Sequence, residues 1–319
     1  MKKRQSSKSS QEGRHEPAQS KGSVATGKPQ HLGDLKDPDA SKGGPPPGLY
    51  VIATPIGNAR DITLRALDIL KQVDGIAAED TRVTSKLLAI HGISKPLTAY
   101  NDHNAARERP RLLGQIRNGA RIALVSDAGT PLVSDPGFKL VRAAIEEGVR
   151  VEALPGASAA LTGLVLSGLP SDRFLFAGFL PVRSGERQSA LEELKSIRAT
   201  LIFFESGPRL AECLADMAAV LGTRSGAVAR EMTKLHEEVR RGTLADLAAG
   251  YERDGAPKGE VTLLVSPPHA AEADFAAVDA ALTSALAFMP LKPASEMIAD
   301  LTGVPRKAVY ARGLELKNG

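Results

Sequence analysis

The sequence predicts a two-domain α/β protein with a helical extension. Three observations predict it. Short apolar runs alternate with helix-period segments over residues 48–166, a second strand-rich stretch follows the break GLPS at 168–171, and the chain turns helical after Pro267 and Pro268. Strand–helix alternation means a largely parallel sheet covered on both faces, because parallel neighbours need long crossover connections. On this reading residues 1–47 are a disordered basic tail, 48–167 a first α/β domain, 168–267 a second, and 268–319 a helical, helix-turn-helix-like extension.

Residues 49–53 (LYVIA) read as a buried strand, being apolar without interruption. Asp61 is placed to cap a helix carrying Ile62, Leu64, Leu67 and Leu70 at roughly helical spacing. Residues 75–79 form a second strand, followed by a helix through Leu87 and Leu88. Residues 122–125 form another, with Phe138, Leu140, Val141 and Ile145 on the helix after it. Residues 149–154 are again a strand, and a small-residue helix covers about 157–166. In the second domain strands are expected near 174–178, 200–204, 226–231, 236–241 and 260–266, with a helix over 210–221. Residues 292–316 read as two helices joined by TGVP at 302–305, with Arg306, Lys307 and Arg312 on the second.

Composition removes several classes of function. No run of about 18 apolar residues exists, which excludes a helical membrane span. The basic start is not followed by an apolar stretch and does not read as a signal peptide. Cys213 is the only cysteine; it shares an apolar face with Leu210, Leu214, Met217 and Leu221 and reads as a buried structural thiol, in keeping with a cytoplasmic protein. The formal charge of +4 looks like a nucleic-acid signal until it is divided. Residues 1–47 carry nine Lys/Arg and five Asp/Glu, so the tail holds the whole excess and the remaining 272 residues balance at zero. Any RNA footprint on the folded body must be local.

In an open α/β sheet ligands bind beyond the carboxyl ends of the strands. Four loops there are rich in Gly, Pro and small polar residues: ATPIGN at 53–58, AEDTR at 78–82, SDAGTP at 126–131 running on to SDPG at 134–137, and LPGASA at 154–159. Gly removes bulk where a ligand approaches backbone, and Pro fixes a turn. Neither a phosphate-cradling G-x-x-x-x-G-K-[ST] nor a G-x-G-x-x-G after the first strand is present. The third loop offers carboxylates and amides without Lys or Arg. That suits a ligand with a ribose, an adenine edge and a positive centre, as in S-adenosylmethionine, better than a polyphosphate.

The strings GLYVIATPIGNARDITLRAL, AAEDTRVTSKLL, DHN at 102–104, ALVSDAGTPLVSDPG, LPGASAA, SGLP, FAGFLP, TLIFFES, REMTK and GEVTLLV resemble, in order, those of the 16S ribosomal RNA ribose methyltransferase family within the tetrapyrrole methylases. The resemblance spans about 48–316. It implies the two-domain tetrapyrrole-methylase (class III methyltransferase) fold and methyl transfer from S-adenosylmethionine to the 2′-oxygen of a decoding-centre cytidine. It further implies the 30S particle as substrate and a homodimer as enzyme. Residues carried over for the cofactor are Pro55, Asp127, Gly129, Thr130, Ser158 and Ala159, with Phe203, Ala229 and Thr262 from the second domain. The sequence departs from the family pattern at FFESGPRL, where Phe204, Gly207 and Pro208 replace the usual Tyr, Pro or Thr, and His.

A ribose hydroxyl is a weak acid, so a base or a cation beside it would help. Glu79, Asp80, His103, Glu231 and Lys234 are candidates, with Asp80 and Lys234 favoured. Their structural alternatives are a helix cap for Asp80, a surface position for His103 and mutual pairing for Glu231 and Lys234. Arg82 is suited by type to hold a phosphate, as are Arg306, Lys307 and Arg312 in the extension, where a solvated basic face is the alternative. No metal is implied. Two other functions stay open at this level: a porphyrinoid methyltransferase, and a non-enzymatic RNA-binding or regulatory protein.

Overall fold

The computed structural model describes residues 44–133, 137–268 and 275–318. The expectation of a disordered tail concerns residues 1–43 for the most part, and part of the third loop is Ser134, Asp135 and Pro136; these lie outside the described residues.

The first sheet contains β1 (Gly48–Ile52), β2 (Gly75–Ala78), β3 (Leu97–Ala99), β4 (Arg121–Val125) and β5 (Val151–Leu154), in the order β3-β2-β4-β1-β5. All its pairings are parallel. In β1, Tyr50 and Ile52 join one core with Ile69, Leu70 and Ile76, while Leu49 and Val51 join another with Leu112, Leu124 and Leu140. Both faces are buried, which is why the strand is apolar at every position. The covering helices are α1 (Leu64–Gln72), α2 (Thr81–Ile90), α3 (Ala105–Arg117) and α4 (Phe138–Glu146). The cap of α1 is Thr63, not Asp61: the Thr63 hydroxyl accepts from the Ala66 N–H at 3.1 Å, because Ala59–Asp61 forms a 3-10 turn before the helix begins.

Helix α5 (Ala159–Ser167) follows β5 but packs on the second sheet, where Ala160 and Leu164 meet Ile202, Ala227 and Leu264. That sheet consists of β6 (Phe174–Phe179), β7 (Thr200–Ser206), β8 (Ser225–Arg230), β9 (Glu238–Thr243) and β10 (Glu260–Val265), in the order β6-β7-β10-β8-β9. Only β6 and β7 pair in parallel. Its other face is covered by α6 (Ser184–Leu194), α7 (Leu210–Leu221) and α8 (Leu244–Asp254) over a core holding Leu191, Phe203, Met217 and Val228. Cys213 belongs to that core; burial pushes its thiol up to about 12, so it is inert filler.

The extension is α9 (Phe275–Leu286), α10 (Leu291–Thr302) and α11 (Arg306–Asn318) around Val278, Leu282, Leu291, Ile298 and Val309. Arg312 fixes α11 to α9 through Asp279, with its Nε 2.7 Å and Nη2 2.6 Å from the two carboxylate oxygens. Among the described residues no helix is long and apolar enough to cross a membrane.

Candidate active site

The four loops interlock. Thr54 and Gly129 exchange two backbone hydrogen bonds of 2.8 and 2.9 Å, joining the loops after β1 and β4. The Thr130 hydroxyl donates to the Ala157 carbonyl at 3.1 Å, adding the loop after β5. The loop after β2 is tied in reciprocally: the Asp80 N–H donates to Asp127 Oδ1 at 2.9 Å, and the Asp127 N–H to Glu79 Oε2 at 3.2 Å. Gly129 has φ +77°, the left-handed region that side chains disfavour.

These loops and the second sheet enclose a cleft of about 370 Å³. Asp127, Gly129, Thr130, Ser158, Ala159 and Thr262 all line it, whereas from the loop at Pro55 the lining residue is Ile56. Phe203 and Ala229 do not line it. Phe203 is fully buried in the core under α6–α8, and strand alternation turns its neighbour Phe204 to the cleft instead; Ala229 is fully buried beneath Met232, which lines the wall. Glu79, Val133, Phe179, Glu205 and Glu260 complete much of the surface.

The loop after β1 meets a strained turn of the second sheet at Gly57. Glu231 and Thr233 in that turn have φ of +50° and +64°, and the Asn58 N–H donates to Thr233 Oγ1 at 3.0 Å. A Cβ on Gly57 would lie 2.5 Å from Lys234 Cγ and 2.8 Å from the Met232 carbonyl oxygen. The backbones touch there because residue 57 has no side chain.

The cleft is acidic, with no Lys or Arg among its lining residues. Burial, followed by neighbouring carboxylates, raises the Glu79 carboxyl above its usual range. Burial and the charge of Asp80 do the same for Asp127. The folded protein therefore holds these protons more tightly than the unfolded chain. The stability they contribute is present at acid pH and is lost as the pH rises through the folded values. Glu79→Gln and Asp127→Asn keep the accepting oxygens and remove the charges. Together they are expected to raise the melting temperature at neutral pH by a few degrees, with the gain vanishing in acid, while weakening cofactor binding. A melting series against pH checks this; a pH-independent change would contradict it.

The favoured base candidates are engaged otherwise. Asp80 caps α2, accepting from the Arg82 N–H at 2.8 Å, and pairs with the Arg82 guanidinium, which holds its carboxyl at about 2. A carboxylate that acidic is a poor proton acceptor. Lys234 pairs with Glu231 at 2.9 Å and Glu260 at 3.1 Å. Burial alone would lower its ammonium, but these two bonds outweigh burial and raise it, so Lys234 is a cation at the cleft edge. Glu231 is lowered, first by Lys234. His103 is exposed. Arg82 stays largely exposed beside Asp80, Arg306 reaches Glu296 and Asp300 at 3.5 and 3.7 Å, and Lys307 is exposed. Arg312 is bound to Asp279 and Glu315, which argues for a structural role in place of an RNA contact. Among the described residues no group of three or more His, Cys, Asp or Glu is arranged to hold a metal.

The volume falls within the range of about 300–1,000 Å³ usual for small-ligand clefts. Carboxylates for a positive centre, an open glycine backbone and apolar walls from Ile56, Phe204 and Met232 fit S-adenosylmethionine.

Comparison with known proteins agrees with this geometry. Residues 48–248 match the Tetrapyrrole (Corrin/Porphyrin) Methylases family, and residues 272–317 match the RsmI C-terminal HTH domain. The ribosomal RNA small subunit methyltransferase I of Mesorhizobium japonicum is 52% identical over 273 residues, covering 85% of this chain and 93% of that protein. Its counterpart in Erythrobacter litoralis is 52% identical over 271 residues, covering 85% and 96%. A crystal structure of diphthine synthase superposes with a TM-score of 0.55 at 17% identity, covering 68% of this chain and 89% of that one, which shows a shared fold. The chain belongs to the tetrapyrrole methylases, within them to the ribosomal RNA small subunit methyltransferase I group, and is an S-adenosylmethionine-dependent methyltransferase.

Proposed function

We propose that the enzyme methylates the ribose 2′-hydroxyl of a decoding-centre cytidine in 16S ribosomal RNA, on the assembled 30S subunit, as a cytoplasmic homodimer. The observation that carries this reading is an acidic donor cleft followed by a helix-turn-helix extension, in relatives named for the small-subunit RNA. The folded body lacks the broad positive field that would grip naked RNA, so a shaped ribonucleoprotein surface suits it better.

When bound, S-adenosylmethionine supplies an electrophilic methyl on a positively charged sulfur. The interlocked loops hold the donor pocket rigid, and alignment of this kind supplies roughly 7–11 kcal/mol in favourable cases. Asp127 and Glu79 place negative charge in the cleft. With its carboxyl raised, Glu79 is a better proton acceptor for the ribose hydroxyl than Asp80. Asp127, Gly129, Thr130, Ser158, Ala159 and Thr262 would hold the cofactor, while Pro55, Phe203 and Ala229 support the residues that do. Arg82, Arg306 and Lys307 are the exposed cations that would meet RNA phosphates. Parallel assays on unmodified 30S subunits, protein-free 16S RNA and a decoding-site oligonucleotide test the reading: transfer confined to the 30S supports it, and equal rates on all three would overturn the requirement for the particle.

A further inference from the structure

Aromatic residues are scarce here, with eight Phe, four Tyr and no Trp, yet Phe179 stands 59% exposed on the wall of the donor cleft. A break in strand register puts it there. β6 pairs with β7 in step through Phe176 opposite Ile202, and the next pair is Phe179 opposite Phe204. Regular pairing would set Gly178 opposite Phe204. The additional residue is absorbed at Gly178, whose φ is +67°. Phe176 and Phe179, three apart, would face opposite sides of a regular strand. With the bulge both meet Phe204 edge-on, at 4.8 and 5.7 Å between ring centres. Bulges beside active sites commonly re-aim one side chain in this way.

The segment after the ring is clamped. Arg209 donates to the carbonyls of Leu180 and Pro181 at 2.9 and 3.1 Å. Arg187, only 1% exposed and 2.6 Å from Asp216, donates to the Val182 carbonyl at 3.0 Å. Phe179 is thus an exposed ring on a rigid support, and solvent exposure of that surface stabilises nothing in the free protein. Of the surrounding carboxylates, Glu205 is paired with Arg209 and Glu260 with Lys234, so Glu79 and Asp127 are the ones that disfavour phosphate here and admit neutral parts of a nucleotide.

We propose that Phe179 is the stacking platform for the base of the nucleotide being methylated, turned out of the RNA so that its ribose enters the cleft. The inference rests on the RNA reading above. Stacking tolerates any base, since each has a π face, so Phe179 holds the nucleotide without choosing it.

Full-length Phe179→Ala, Phe179→Leu and Phe179→Trp are compared with wild type for kcat/KM on 30S subunits and for S-adenosylhomocysteine affinity by calorimetry. Ala and Leu are expected to lower kcat/KM about 10- to 100-fold, Trp to retain most of it, and none to alter the affinity. The variant indole is the only one in the chain, and its emission should not respond to S-adenosylhomocysteine. Wild-type kcat/KM in the Leu variant would overturn the proposal. So would a parallel loss of S-adenosylhomocysteine affinity or quenching of the indole, which would give the ring to the donor's adenine. If the wild-type enzyme transfers no methyl to 30S, the RNA reading fails and this inference with it; if wild type is active and the variants match it, only this inference fails.

Discussion

Gly129→Val is expected to lower S-adenosylhomocysteine affinity about 100-fold, equivalent to roughly 2.7 kcal/mol, while the protein still folds. Position 129 combines three constraints. Its φ of +77° strains any side chain, at about 1–2 kcal/mol. Its Cβ would lie 3.4 Å from Ile56 Cγ2, so the remaining valine carbons must displace that wall or enter the cleft. Its backbone also makes the paired bonds to Thr54 that join two of the loops. Gly129→Ala adds a single methyl and should fall between wild type and Val. Calorimetry on both variants measures the effect; wild-type affinity in Gly129→Val would remove the site from this cleft.

Gly57→Val is expected to damage stability and catalysis together. The Met232 carbonyl oxygen, 2.8 Å from the would-be Cβ, is backbone in a turn already strained at Glu231 and Thr233, so it has little freedom to retreat. Overpacking of this kind costs about 1–3 kcal/mol. For a domain of 150–250 residues each kcal/mol is about 2–4 °C in melting temperature. The loop and the turn should separate, moving Ile56 and Met232 apart on facing walls. Cofactor affinity should then fall at least about tenfold, or 1.4 kcal/mol. Differential scanning calorimetry and ligand titration read the two effects. A variant that melts and binds like wild type would show that the two sheets do not meet at residue 57.

The strong parts of this fold were legible because one physical pattern dominated each. Strand β1 is apolar at every position since both faces are covered, and four Gly/Pro-rich loops had to gather at one rim once the strands were parallel. What escaped was decided by phase or by distant partners. Strand β3 is three half-buried residues and carries no run to recognise. Phe203 and Phe204 differ by one step, and only the pairing of β7 with β10 fixes which faces the cleft. The pairing of Lys234 with Glu231 was legible three residues apart, but its second partner Glu260 lies 26 residues away, and Arg312 looks like a free cation although Asp279 lies 33 residues from it. The departure at Gly207 has a packing counterpart, since a Cβ there would collide with the Pro257 carbonyl oxygen. The bulge that exposes Phe179 has no alternation signal, because FLFAGF at 174–179 is apolar or glycine throughout.

The most direct test is the position of the transferred methyl. Pure enzyme is incubated with unmodified 30S subunits and S-adenosylmethionine labelled in its methyl group, and the RNA is digested and mapped by mass spectrometry. The account predicts one labelled methyl on the ribose 2′-oxygen of a decoding-centre cytidine. Label on a base, label elsewhere in the RNA, or transfer to a tetrapyrrole with none to the 30S would contradict it.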